Sequence, residues 1–93
     1  MLVIFEPDAE AELAEARTWY RSQRDGLDRQ LIQRVDETLQ RIVDAPYSYP
    51  VEHQQLRRAA VRQFPFIILY EADEDVVRVF AVYHTGRKPK RLM

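Results

Sequence analysis

The side chains best suited to chemistry gather in the last third of this chain. Arg57, Arg58 and Arg62 precede the run Phe64-Pro65-Phe66-Ile67-Ile68-Leu69-Tyr70, and His84, Arg87, Lys88, Lys90 and Arg91 follow the run Val76–Tyr83. Arginines that converge on a phosphate make bidentate contacts and stabilise a pentavalent transition state. A histidine at a strand end beside cations can act as acid or base in phosphoryl transfer, and the neighbouring positive charge favours its neutral, basic form. The opposing reading is structural. His84 would fix a turn through a backbone hydrogen bond, and the arginines would be solvated or paired with acids of the first two-thirds. Strand alternation places Arg58 and Arg62 on one face and Arg57 on the other.

Other chemistries find little support. Asp73, Glu74 and Asp75 form a carboxylate cluster, but neither His53 nor His84 stands at a metal-ligand spacing from it, so no metal is expected. There is no glycine-rich phosphate loop and no nucleophile elbow, and no cofactor is implied. Cysteine is absent, which excludes a disulfide framework and a thiolate metal site. The opening MLVIFEPDAE lacks a basic leader and carries too short an apolar run for a signal peptide or membrane span, so a soluble, cytoplasmic protein is expected.

Ninety-three residues bound a single domain, 1–93, near the lower end of independent stability. The net charge of −1 says nothing about nucleic acid, but its distribution does. Residues 1–56 hold eleven acids and six bases, a balance of −5; residues 57–93 hold eight bases and four acids, a balance of +4. Such asymmetry can mark an interaction surface.

The elements that must position these residues follow from periodicity. Leu2–Phe5 is a β-prone run stopped by Pro7. Asp8 is a plausible N-cap for a helix in which Ala9, Leu13, Ala16 and Tyr20 recur at helical spacing, with Trp19 and Tyr20 both read as core. Gly26 would cap its C-terminus. A second helix from about Leu27 presents Leu31, Ile32, Val35, Leu39, Ile42 and Val43 and ends at Pro46, giving an antiparallel helix hairpin. Residues 47–54 read as an irregular loop, and strands are expected over 56–62, 64–71 and 76–83, the last two joined by the polar turn 72–75. The order β-α-α-β-β-β is an α+β fold, a helix hairpin on one face of a small, mostly antiparallel sheet. Phe66 to Tyr70 is apolar at consecutive positions, so both faces of that strand need cover. The helices supply one; a curled sheet, the C-terminal tail or a partner chain must supply the other.

The order and spacing of these pieces resemble the RelE/ParE superfamily of bacterial toxins over nearly the whole chain. They comprise the Trp19-Tyr20 pair, the Pro46–Pro50 loop, Arg57-Arg58, Phe64-Pro65-Phe66, Tyr70, and His84-x-x-Arg87-Lys88-x-Pro89. The resemblance implies the toxin of a type II toxin–antitoxin pair, a growth-arresting protein of the plasmid-stabilisation kind, held by a cognate antitoxin whose tail folds on binding. A homo-oligomer or a hetero-oligomer with that antitoxin is then expected, with Phe66, Ile68, Tyr70, Arg57 and Lys88 as partner-binding residues. RelE-like members cut mRNA on the ribosome, and Arg58, Arg62, His84 and Arg87 would be the catalytic set. ParE-like members inhibit DNA gyrase without a catalytic set. Residues 28–56 contain no lysine, and the net charge suits ribosomal RNA badly, because affinity there rests on many phosphate contacts. The ParE-like reading is therefore favoured. A ribosome-dependent endoribonuclease is one alternative, and a degenerate toxin kept as an antitoxin-binding module is another.

Overall fold

The structure is a computed structural model and describes residues 1–92. Its elements are β1 (Leu2–Phe5), α1 (Pro7–Gln23), α2 (Leu27–Asp44), β2 (Val51–His53), β3 (Leu56–Ala60), β4 (Phe66–Ala72), β5 (Val76–His84) and a short 3₁₀ turn, Lys90–Leu92. The five strands form one sheet in the order β1-β5-β4-β3-β2. β1 runs parallel to β5, and every other pair is antiparallel. The fold is the expected α+β arrangement with one strand added. Val51–His53, read as loop, pairs with β3 instead, through a register that shifts between Val51 and His53. Three residues are too few to show a period.

Local chemistry sets the helix ends. Pro7, not Asp8, opens α1: its fixed φ suits the first helical position, where a missing N–H costs nothing. Asp8 and Glu10 then sit in the first turn, against the positive end of the helix dipole. Gly26 adopts φ +90° and starts α2 rather than ending α1, its carbonyl accepting from the Gln30 N–H at 3.1 Å. Beside it, buried Asp28 accepts a hydrogen bond from Arg21 Nε at 3.2 Å and ties the two helices together.

Burial pushes the Asp28 carboxyl up, but Arg21 and nearby backbone N–H groups outweigh it and hold the group below its ordinary range. A depressed folded value means stability present above the unfolded pKa of about 3.9 and lost as pH falls below it. Thermal melting of Asp28→Asn against wild type will show a deficit at pH 6 that narrows below about pH 4. A deficit constant down to pH 2 would rule this coupling out.

The main core lies between the helix hairpin and the sheet. Leu31, Val35 and Ile42 of α2 meet Ile68 and Tyr70 of β4 and Val77 and Val79 of β5. Because β4 alternates, Ile67 and Leu69 turn to the opposite face, where they join Ala81 and Tyr83 in a second buried cluster. Leu92 of the C-terminal turn packs on that cluster. The chain's own tail therefore helps to close the second face: Ile67, Leu69 and Tyr83 are only 4%, 2% and 6% exposed. No broad apolar sheet face is left for a partner among the described residues.

Candidate partner groove and cationic rim

The residues singled out by type do not assemble into one site. His84 ends β5 opposite Phe66, with the two rings edge to face at 5.5 Å. Its Nδ1 accepts the Gly86 N–H at 2.9 Å, and its carbonyl accepts the Arg87 N–H at 2.9 Å. Those contacts fix the turn after β5. The turn-fixing backbone hydrogen bond anticipated for His84 is thus present, with the Gly86 N–H as its partner. Arg58 stands on β3 opposite Leu69, on the face away from the helices, and pairs with Glu52. Phe66 and its partner His84 lie on the helix side, so Arg58 and His84 project from opposite faces. Arg62 does not share a strand with Arg58, because β3 ends at Ala60 and Arg62 lies in the exposed turn to β4. Of the four, only His84 and Arg87 line one cavity.

The five residues expected to meet a partner do not share one surface. Ile68 and Tyr70 are 0% exposed and Phe66 is buried, all three on the helix-covered face. Alternation within an apolar run does not reveal which face the helices take. The Tyr70 hydroxyl donates to the Pro46 carbonyl at 2.6 Å, pinning the loop after α2 to the sheet. Arg57 donates to the Tyr47 and Tyr49 carbonyls at 3.0 and 2.7 Å, and its guanidinium lies over the Tyr47 ring. It holds that loop rather than projecting as a free cation. Lys88 is exposed and within ion-pair distance of Glu52, at 3.7 Å.

The surface that is open lies elsewhere. β1 stops at Phe5, opposite Val79, and α1 turns away, so from Phe80 to His84 the side of β5 away from β4 has no strand on it. A bulge at Phe80 shifts the register there, since Leu69 pairs with Ala81 and Tyr70 with Val79. Side chains stand in for the missing strand: Glu12 accepts the Val82 N–H at 3.0 Å, and Arg91 donates to the Phe80 carbonyl at 3.0 Å. Arg91 also pairs with Asp8 and Glu12, at 3.1 and 3.2 Å. Burial pushes the Glu12 carboxyl up, against the opposing pull of the Val82 N–H and Arg91.

A cavity of about 440 Å³ opens between this edge and α1, lined by Glu15, Trp19, Tyr20, Val82, His84 and Arg87 among others. Trp19 is 52% exposed, contrary to its reading as core, whereas Tyr20 packs edge to face on Phe64 at 5.0 Å. One helical step of about 100° separates the two rings, and only Tyr20 continues the inward stripe of Ala9, Leu13 and Ala16. Sequence reasoning missed Glu12 and Trp19 as edge residues. The contact of Arg91 with Asp8 spans nearly the whole chain, and no local pattern announces it.

The model for the ParE toxin of type II toxin–antitoxin systems (parDE) matches residues 3–89. The chain belongs to the ParE toxin family. It is similar in fold to a solved structure of the chromosomal ParDE toxin–antitoxin system from P. aeruginosa, with a TM-score of 0.77 at 14% identity, covering 90% of this chain and 95% of that one. No curated protein sequence matches it closely enough to count as a relative. Among the described residues no helix is long and apolar enough to cross a membrane, and no group of three or more potential metal ligands gathers.

Proposed function

We propose that this ParE-family toxin acts in the cytoplasm by inhibiting DNA gyrase, and that a cognate antitoxin neutralises it. The observation that carries the first part is the dispersal of the basic residues. Ribonucleolytic cleavage needs a base, an acid and charge stabilisation around one phosphate. Arg58 and His84 lie on opposite faces, Arg62 sits in a separate turn, and His84 Nδ1 is engaged by a backbone N–H. A protein that works by binding gyrase needs no such convergence.

The antitoxin reading finds support in the open β5 edge. In an antiparallel ladder both main-chain groups of a residue point the same way, so Val82, whose N–H meets Glu12, also turns its carbonyl outward. An extended antitoxin segment can add there as a strand and place an apolar side chain beside Trp19. The test is purified protein in a gyrase supercoiling assay run beside a ribosome-dependent translation assay. Supercoiling will be blocked while mRNA stays intact, and His84→Ala will keep the inhibition within a few-fold. Ribosome-dependent mRNA cuts abolished by His84→Ala would install the endoribonuclease reading instead. Normal supercoiling and translation from folded protein would leave the degenerate, antitoxin-binding module.

A further inference from the structure

On the sheet face away from the helices, two cations from distant parts of the chain close on one carboxylate. Arg58 of β3 projects on the same face as Leu69, its cross-strand partner. Lys88 arrives from the segment after β5. Arg58 Nε stands 3.4 Å from one oxygen of Glu52, and Lys88 Nζ stands 3.7 Å from the other. Neither cation has a second ion-pair partner among the described residues. Tyr83 belongs to the same neighbourhood: burial raises its phenol, and the charges of Glu52 and Arg58 both act on it.

The arrangement is that of an anion site with an anion already in it. A carboxylate and a phosphodiester each offer two charged oxygens to converging N–H donors, so a cradle that holds one fits the other. The Arg58 and Lys88 side chains are 46% and 39% exposed, whereas Glu52 is only 23% exposed and occupies the space between them. Glu52 comes from β2, a three-residue edge strand paired only to β3. We infer that Glu52 is a built-in counter-ion that fills a phosphate-sized cradle formed by Arg58 and Lys88, and so keeps this face off the phosphodiester backbone of nucleic acid. Specificity of this kind comes from rejecting a wrong partner rather than from improving the right one. The inference stands apart from the choice of target, since it concerns which ligands the sheet face refuses.

Fluorescence anisotropy with a labelled single-stranded RNA oligonucleotide tests it on the full chain. Glu52→Gln keeps the shape and removes the charge. It will bind the RNA about tenfold or more tightly than wild type, the weight of one hydrogen bond to a charged group. The slope of log affinity against log salt will steepen by roughly 1.4, about 0.7 for each freed cation on a single strand. Adding Arg58→Ala will erase most of that gain. Glu52→Asp, which keeps the charge, will stay near wild type. If the amide disturbs folding, Glu52→Thr supplies a second neutral variant suited to a strand. Wild-type RNA affinity equal to that of the neutral variant would overturn the inference, as would a gain that survives the loss of Arg58.

Discussion

Deleting residues 86–93 will cost the toxin its solubility as well as its activity. The tail is not an appendage: Leu92 packs on the Ile67–Leu69–Ala81–Tyr83 cluster, and Arg91 bridges Asp8, Glu12 and the Phe80 carbonyl. Its loss uncovers on the order of 100 Å² of apolar surface, about 2.5 kcal/mol at ~25 cal/mol per Å². In a domain of this length that lowers the melting temperature by roughly 10–20 °C. The bare edge of β5 would then stand beside fresh apolar surface, a combination that promotes strand-to-strand association. Differential scanning fluorimetry and size-exclusion chromatography measure both effects. Leu92→Asp should reproduce most of the thermal loss, and Arg91→Ala a smaller part, because its ion pairs are partly solvated. A truncated chain that stays monomeric with an unchanged melting temperature would remove the tail from the fold's support.

Tyr70→Ala should be the most damaging point substitution in the sheet. The side chain is fully buried, meets Tyr49 edge to face at 6.2 Å and closes the loop after α2 through the Pro46 carbonyl. Truncating a buried aromatic residue costs about 3–5 kcal/mol. Total stability for a chain of this size is about 5–14 kcal/mol, at ~0.05–0.15 per residue, so a weakly stable toxin would unfold outright. Tyr70→Phe isolates the hydroxyl, at about 1 kcal/mol.

The same hydroxyl predicts an alkaline limb. Burial first of all pushes the Tyr70 phenol up to about 12, against a smaller lowering by Arg57. A folded value raised above the unfolded one gives stability that is complete below about pH 10 and lost as pH rises toward 12. Denaturant melts between pH 8 and 11.5 should show this fall in wild type and a smaller one in Tyr70→Phe. Identical slopes would mean that the phenol ionises without opposing the fold.

What the sequence disclosed follows the range of the interactions involved. Helix α2 was legible because Leu31, Val35 and Ile42 repeat over several turns, and the β4–β5 hairpin because two long apolar runs flank a polar turn. Strand β2 was not, since three residues carry no period, although pairing VEH with LRR across Gln54-Gln55 would have brought Glu52 toward the arginines. The run Phe66–Tyr70 announced two buried faces correctly, but its composition could not tell the helix-covered face from the tail-covered one. Residues with a partner reading thus fell into the core. The ring contacts of Trp19, the Arg91–Asp8 pair and the opposite facing of Arg58 and His84 depend on topology, which residue types alone do not carry.

Gyrase inhibition, as proposed, would act through DNA topology, and cells can report this directly. After the toxin is induced without an antitoxin and growth stops, a reporter plasmid recovered from those cells gives its linking number on a chloroquine gel. Relaxed or cleaved plasmid alongside full-length mRNA is the expected result. Plasmid with normal negative supercoiling, recovered with mRNA cut at ribosome-occupied positions, would contradict it.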